Sequence, residues 1–411
     1  RTVHFVGMGG SGMSGIAEVM IGLGYKIQGS DIRMSEQLER LKALGAKVFL
    51  SHLPENIKKA DALVVSSAIS SNNCEVIEAN KKMLPVVARA EMLAELMRFY
   101  YSIAVSGTHG KTTTTSLIST LLAEGGLDPT YIIGGCLKSS NSHAKLGLGD
   151  YLVAEADESD ASFTHLKPMI SILTNIDFDH MSTYEHDKNK LYSGFLSFLH
   201  NLPFYGLAIV CLDDPGVKEV MPKISRSVIT YGTTDKADIY AKDIHFSESK
   251  TSFDVYRKSK NKKISVEINL PGVHNIQNAL AAIAVATELD INDRFIIKAF
   301  KNFSGINRRF QVKKNIAVKD GEITLIDDYG HHPTEILATI NAIKSGWGSK
   351  RITLLFQPHR YTRTKELFSE FVEVLCEVDQ LIITEIYAAG EKPIDNITGQ
   401  SIMEEINNKS S

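Results

Sequence analysis

No stretch of this chain approaches the roughly 18 to 20 uninterrupted apolar residues that a membrane-spanning helix needs. The opening Arg-Thr-Val-His-Phe also lacks a signal-peptide pattern. Both absences point to a cytoplasmic protein with no membrane partner. Cysteine is sparse: Cys74, Cys136, Cys211 and Cys376 are scattered with no CxxC pair. That excludes a cysteine-based zinc site and a disulfide framework. Net charge is small as well, with 45 Lys plus Arg against 48 Asp plus Glu, or -3. No broad basic surface is left for phosphate backbones, so nucleic acid is not expected as a partner. Low-complexity segments and short-period repeats are missing too. What is present is 411 residues, 43% hydrophobic and 23% charged, a soluble globular composition too long for one ordinary domain. At about 150 residues per domain, two to three are expected.

The chain alternates short β-branched runs with amphipathic stretches, which predicts parallel strands joined by helices. Strands are expected at residues 3–6, 25–27, 47–49, 62–65 and 84–87 of a first section, residues 1–98. A fresh apolar strand at 103–105 opens a second section, residues 99–303, which continues through runs at 151–153, 169–173 and 208–210. Between Asp238 and Leu270 the texture changes to alternation around a lysine-rich tip at residues 258–263, which predicts one antiparallel hairpin. An alanine-rich helix is expected at 275–289. The third section, residues 304–411, is predicted to hold strands at 323–326, 352–356 and 381–383 and helices at 334–344 and 364–378. The chain starts on a strand and ends in the polar run 407–411, so a fragment of a longer product is expected.

The first predicted strand runs into Gly7-Met8-Gly9-Gly10-Ser11-Gly12, a GxGxxG loop, with Asp31 19 residues past Gly12. Glycines there permit a tight turn and close backbone approach, the helix N-terminus favours a diphosphate, and the acid can accept from a ribose hydroxyl. This chemistry fits a UDP-sugar as well as NAD, so an NAD-dependent oxidoreductase stands as one alternative. The second loop, Ser106-Gly107-Thr108-His109-Gly110-Lys111-Thr112-Thr113, is more specific. Its amides can cradle phosphates, Lys111 can neutralise the β and γ phosphates, and the Thr112 hydroxyl can ligate magnesium. Its spacing departs from GxxxxGK[ST], because only Thr108 and His109 separate Gly107 from Gly110. Two diphosphate loops in one chain point to a ligase that consumes one nucleotide and takes the other on its substrate.

Acids cluster in Glu155-Ala156-Asp157-Glu158-Ser159-Asp160 and Asp177-Phe178-Asp179-His180, each after a predicted strand. Strand C-terminal ends share an edge in a parallel sheet, so carboxylates there can hold a metal against a triphosphate. The third section places Asp327-Asp328-Tyr329-Gly330-His331-His332-Pro333 and Gln357-Pro358-His359-Arg360-Tyr361-Thr362-Arg363 after two further strands. Paired arginines can clamp a carboxylate, which describes an amino-acid site.

Five of these segments, His4 to Ser14, Gly107 to Thr112, Glu155 to Asp160, Asn175 to His180 and Asp328 to Pro333, together resemble the Mur ligase family. The resemblance implies an α/β fold of three consecutive α/β domains: a Rossmann-like N-terminal domain, a P-loop ATPase-like central domain with a mostly parallel sheet, and a Rossmann-like C-terminal domain that is incomplete here. It implies a cytoplasmic enzyme of peptidoglycan synthesis, monomer or homodimer, with magnesium as cofactor. Its expected reaction joins L-alanine to the lactyl carboxylate of UDP-N-acetylmuramate at the expense of ATP; ligation of a recycled tripeptide to the same sugar is the alternative.

By motif match, Gly7, Gly9, Gly10, Ser11, Gly12, Met13 and Asp31 would bind the UDP-sugar, with Ser67, Arg89 and His109. Gly107, Thr108, His109, Gly110, Lys111, Thr112 and Thr113 would bind ATP, together with Asn275, Asn278, Arg308 and Asp327. Thr112, Glu155 and His180 would hold the metal, and Tyr329, His331, Arg360 and Arg363 the alanine. Lys111, Glu155, His180 and His331 are the expected catalytic set.

Overall fold

The computed structural model describes residues 1–138, 142–319 and 321–410; Ser411, the end of the polar run, lies outside them. Two compact units emerge. The first comprises Arg1–Ala241, Val255–Ile264 and Gln277–Ile306, the second Lys242–Asp254, Ser265–Ile276 and residues from Asn307 on.

The first unit opens with β1 (Thr2–Val6), α1 (Ser11–Gly22), β2 (Lys26–Ser30), α2 (Glu36–Ala43), β3 (Lys47–Phe49), β4 (Ala62–Val65), α3 (Cys74–Lys81), β5 (Val86–Ala88) and α4 (Arg89–Met97). The strands form a parallel sheet in the order β3-β2-β1-β4-β5. Central β1 needs apolar residues toward both layers, and Val3, Phe5 and Val6 are all buried. Helix α1 packs Ile16, Val19 and Met20 into the core with Phe5 and Val64. The strand order reverses between β1 and β4, where a doubly wound sheet opens a ligand crevice.

A second sheet follows. Its elements are β6 (Tyr101–Ser106), α5 (Lys111–Glu124), β7 (Thr130–Leu137), β8 (Ser142–Lys145), β9 (Tyr151–Glu155), β10 (Ile170–Leu173), α6 (Lys188–His200), β11 (Leu207–Cys211), α7 (Pro215–Val220), β12 (Ser227–Gly232), β13 (Ile239–Ser247), β14 (Lys250–Arg257), β15 (Lys260–Ile268), α8 (Val273–Glu288) and α9 (Asp293–Asn302). The order is β15-β14-β13-β12-β11-β10-β6-β9-β7-β8, and the pairings from β12 across to β7 are parallel. Strands β13 to β15 close one end of this order. The expected single hairpin is therefore three strands. Residues 239–247 alternate like the two runs beside the lysine-rich tip, and the first of them, Ile239, pairs with Tyr231 of β12.

In the second unit β16 (Gln311–Val318) and β17 (Gly321–Asp327) form an antiparallel pair, and α10 (Pro333–Trp347) follows. Then come β18 (Thr353–Phe356), α11 (Tyr361–Glu366), α12 (Phe368–Leu375), β19 (Gln380–Ile383) and α13 (Gly399–Ser410), with β18 and β19 parallel. Ile336, Ile340, Phe356, Phe371, Leu375 and Ile402 form its core. The single helix expected at 364–378 is two helices, broken at Leu367, whose φ of -112° and ψ of 26° leave the α region. Among the described residues no helix is long and apolar enough to cross a membrane.

Candidate active site

Strand β6 lies between β9 and β10, so the loop at its C-terminal end is flanked by the segments that follow both neighbours. Within this loop Gly107 has φ +127° and Gly110 φ +82°, and the helix α5 begins at Lys111. A Cβ at Gly107 would stand 2.0 Å from Thr174 Oγ1, and one at Gly110 2.6 Å from Asn278 Oδ1. Both backbone shape and space therefore demand glycine. The segment after β10 fastens the loop. Asn175 Oδ1 accepts from the His109 N–H at 2.8 Å, and Thr174 Oγ1 donates to His109 O at 2.7 Å. The Asp177 N–H donates to Thr108 Oγ1 at 2.9 Å, and the Asp177 carboxylate is 2.9 Å from His109 Nε2. From α8, Asn278 accepts from Thr114 Oγ1 of α5 at 3.0 Å, and its Oδ1 stands where a Cβ at Gly110 would go, so this predicted ATP residue lies against the loop.

Lys111 is bound to Glu158 at 2.7 Å. Burial opposes its charge, but Glu158 and Asp157 outweigh that and hold the ammonium above its ordinary pKa. Burial pushes the Glu158 carboxyl up to about 7 against the pull of Lys111. For Asp157 the pull of Lys111 and Arg89 wins over burial, so it titrates below the usual range.

Of the predicted metal ligands, Glu155 ends β9 and accepts from the Gly134 N–H at 2.7 Å. A Cβ at Gly134 would come within 2.9 Å of the Glu155 carboxylate, and one at Gly135 within 2.7 Å of the Thr112 methyl. The glycine pair thus lets the β7 backbone pack closely against the Glu155 and Thr112 side chains, which carry a carboxylate and a hydroxyl, the oxygen donors that magnesium prefers. His180 lies on the loop after β10 with φ +54°, in the left-handed region that few non-glycine residues occupy, and its ring is 3.5 Å from Asp179. The oxygen pair fits magnesium; the imidazole is its less usual partner.

At the first glycine loop, Gly7 takes φ +78°, and its N–H and that of Met8 both donate to Ser30 O, at 2.9 and 3.1 Å. Asp31 closes the loop, accepting from the Gly9 N–H at 2.8 Å. Met13 is 1% exposed and belongs to the core, so only its backbone can face a ligand. Ser67 is exposed just past β4, beside Ser66, whose N–H donates to Val6 O. Arg89, at the start of α4, lies against Gly12 and reaches Asp157 at 3.3 Å.

In the second unit the four predicted alanine-site residues gather around His359. The rings of Tyr329 and His331 are 5.3 Å apart, and those of His331 and His359 5.9 Å. Arg363, 6% exposed, is 3.4 Å from His359 Nδ1. Arg360 has φ +71° and its N–H donates to Tyr387 O at 2.9 Å. Burial, then His331 and Arg363, press His359 down to about 4. Arg308 lies over the Tyr329 ring at 5.3 Å. Asp327 ends β17, and Asn275 donates to Pro271 O at 2.7 Å.

Three domain families match the sequence in order: the Mur ligase family catalytic domain over residues 2–101, the Mur ligase middle domain over 105–286, and the Mur ligase glutamate ligase domain over 308–411. The chain belongs to the Mur ligase family. Among solved structures it is similar to UDP-N-acetylmuramate-alanine ligase MurC of Thermotoga maritima, at 27% identity and TM-score 0.83, covering 100% of this chain and 89% of that one. It is also similar to the UDP-N-acetylmuramate:L-alanyl-gamma-D-glutamyl-meso-diaminopimelate ligase of Neisseria meningitides. There the identity is 26% and the TM-score 0.68, over 75% of this chain and 99% of that one. A murein peptide ligase of Psychrobacter arcticus shares the fold at 24% identity and TM-score 0.75, over 99% of this chain and 88% of that one.

This Mur ligase is accordingly an ATP-dependent amide ligase of peptidoglycan synthesis, from a family that uses UDP-sugar substrates. Membership removes the support for an oxidoreductase. In the sequence Glu158 and Asp177 stood only among the carboxylates able to hold a metal, and Asn175 and His359 carried no role, although all four lie inside quoted motifs. The available signal was adjacency: Asn175 and Asp177 follow the strand beside β6, and only that pairing brings them onto the phosphate loop.

Proposed function

We propose that this Mur ligase joins L-alanine to the lactyl carboxylate of UDP-N-acetylmuramate, converting ATP to ADP and phosphate. The observation that carries the reading is the buried Arg363 beside a His359 kept neutral, with Tyr329 and His331 at hand. A guanidinium in that setting suits a single amino-acid carboxylate. The likeness to the Thermotoga maritima enzyme over the whole chain supports it.

In this reading the sugar carboxylate attacks the γ phosphorus and ADP leaves, giving an acyl phosphate. The alanine amine then adds, loses a proton to His331, and phosphate departs from the tetrahedral intermediate. Lys111 offsets charge that develops on the phosphates, the contribution expected to dominate. Thr112, Glu155 and His180 would hold magnesium, which when bound supplies further positive charge against the triphosphate. The glycine loop Gly7 to Gly12 with Asp31, Ser67 and Arg89 is proposed for the UDP portion. The nucleotide roles of Asn275, Arg308 and Asp327 rest on motif match.

The second reading, a peptide acceptor, is favoured by the likeness to the Neisseria meningitides enzyme. ADP release measured with UDP-N-acetylmuramate and either L-alanine or the tripeptide decides between them. Turnover with alanine, abolished in Lys111→Ala, is expected. Turnover with the tripeptide alone would overturn the assignment, and near-normal turnover of Lys111→Ala would remove the phosphate-loop role.

A further inference from the structure

An ammonium has three N–H groups, and Lys111 uses all of them. It donates to Gly107 O at 2.6 Å, to Thr108 O at 3.1 Å and to Glu158 Oε2 at 2.7 Å. Two of these acceptors belong to the loop whose phosphate Lys111 should bind. The third is a carboxylate whose side chain is 4% exposed. A triphosphate can engage this lysine only by displacing an acceptor, and the acceptor it replaces in kind is the anion.

Glu158 is firmly placed. The Tyr184 hydroxyl donates to Glu158 O at 2.6 Å, and Thr183 Oγ1 donates to Ser159 O at 2.6 Å, so the segment before α6 holds the acid run from outside. The groups that face Glu158 are Lys111 from α5, Asp157 beside it and the Tyr184 phenol, with Asp160 next to Tyr184. Arg89 from α4 pairs with the neighbouring Asp157. If Lys111 turns to a phosphate, Glu158 loses the cation it is paired with. A buried carboxylate in that position is neutralised rather than left charged, because burial penalises the ionised form.

We propose that Glu158 is a positioning residue that holds Lys111 in the nucleotide-free protein and releases it to the incoming triphosphate, taking up a proton from solvent as it does so. The proposal rests on the ATP role assigned to Lys111 above. Glu158 already titrates at about 7 while paired, and losing Lys111 raises it further, so uptake falls in the range above neutral pH. One proton bound per complex makes affinity fall by up to about tenfold per pH unit there.

The test is calorimetry with a non-hydrolysable ATP analogue and magnesium at pH 8, in two buffers of different ionisation enthalpy. Wild-type protein should take up about one proton per analogue bound, and its affinity should weaken from pH 7.5 to 9. Glu158→Gln keeps the shape and removes the charge; it should take up none, bind about tenfold tighter at pH 8 and lose the pH dependence. In turnover it should lower KM for ATP with a smaller change in kcat. Wild-type binding without proton uptake, or equal uptake in Glu158→Gln, overturns the proposal and leaves the ATP role standing. Failure of the analogue to bind wild type overturns both. Should Glu158→Gln not fold, the wild-type proton count decides alone.

Discussion

Arg89 joins the first glycine loop to the acid run after β9: its guanidinium is 3.3 Å from the Asp157 carboxylate, and a methyl at Gly12 would stand 3.0 Å from its Nη1. One side chain thus touches the glycine loop of the first sheet and the acid run that flanks Lys111. Arg89→Ala should raise KM for the UDP-sugar at least tenfold, since a hydrogen bond to a charged group contributes about 1.5 to 3 kcal/mol. Binding of the ATP analogue should change by less than threefold. Steady-state kinetics and calorimetry check the pair; equal losses would mean that Arg89 acts through Asp157 alone.

Gly107 and Gly126 both have positive φ, +127° and +83°, but only Gly107 is crowded: a methyl there would stand 2.0 Å from Thr174 Oγ1, whereas one at Gly126 would meet nothing within 4 Å. Gly126→Ala should cost about 1 kcal/mol of stability, the strain alone, and leave turnover intact. Gly107→Ala must push the loop off the segment after β10 and should abolish ATP-analogue binding. Thermal unfolding with calorimetry separates the two, and retained binding in Gly107→Ala would refute the crowding argument.

Glu75 is buried beneath the first glycine loop, where its carboxylate accepts from Asn56 Nδ2 at 2.7 Å and from Ser30 Oγ at 2.5 Å and lies 3.1 Å from His52. Burial works to raise its pKa, but the bonds from His4, Ser30 and Asn56 bring it down to about 2. A depressed carboxylate adds stability that is fully present above about 4.5 and is lost as pH falls toward 2, on the order of 3 kcal/mol in all. Glu75→Gln should lower stability at pH 7 and flatten the loss between pH 4.5 and 2 in denaturant unfolding. An unchanged acid slope would show that Glu75 is not its source.

His359, pressed down to about 4 by burial and by His331 and Arg363, should stay neutral throughout the neutral range. A histidine whose folded value is lowered favours the fold above its unfolded pKa of about 6.5 and loses that advantage as pH falls toward 4. Ring-proton NMR should place its midpoint near 4, and Arg363→Ala should raise that midpoint while raising KM for the amino acid. A midpoint near 6.5 in the wild type would contradict the neutral pairing with Arg363.

The strands that carry loops were legible because they are buried on both faces and read as short apolar runs, as at Val3 to Val6 and Ile170 to Leu173. Strand β7 was not, since Gly134 and Gly135 interrupt its apolar run. Those glycines make sense only beside Glu155 and Thr112, which stand where a Cβ would go. The break at Leu367 was equally hidden, because residues 364–378 keep an apolar spacing on both sides of it.

From residue order alone came the α/β class, the two glycine loops, Lys111 at the head of its helix and the acids after the following strands, all features set by local spacing and backbone chemistry. Partnership was decided only in three dimensions. That Glu158 holds Lys111, that Asp177 meets His109, that Arg89 spans Gly12 and Asp157, and that His331 comes up to His359 all depend on strand order and on segments as far apart in the chain as Gly12 and Arg89. Sequence spacing cannot encode them, because parallel strands place their loops together through crossovers, whatever the distance along the chain.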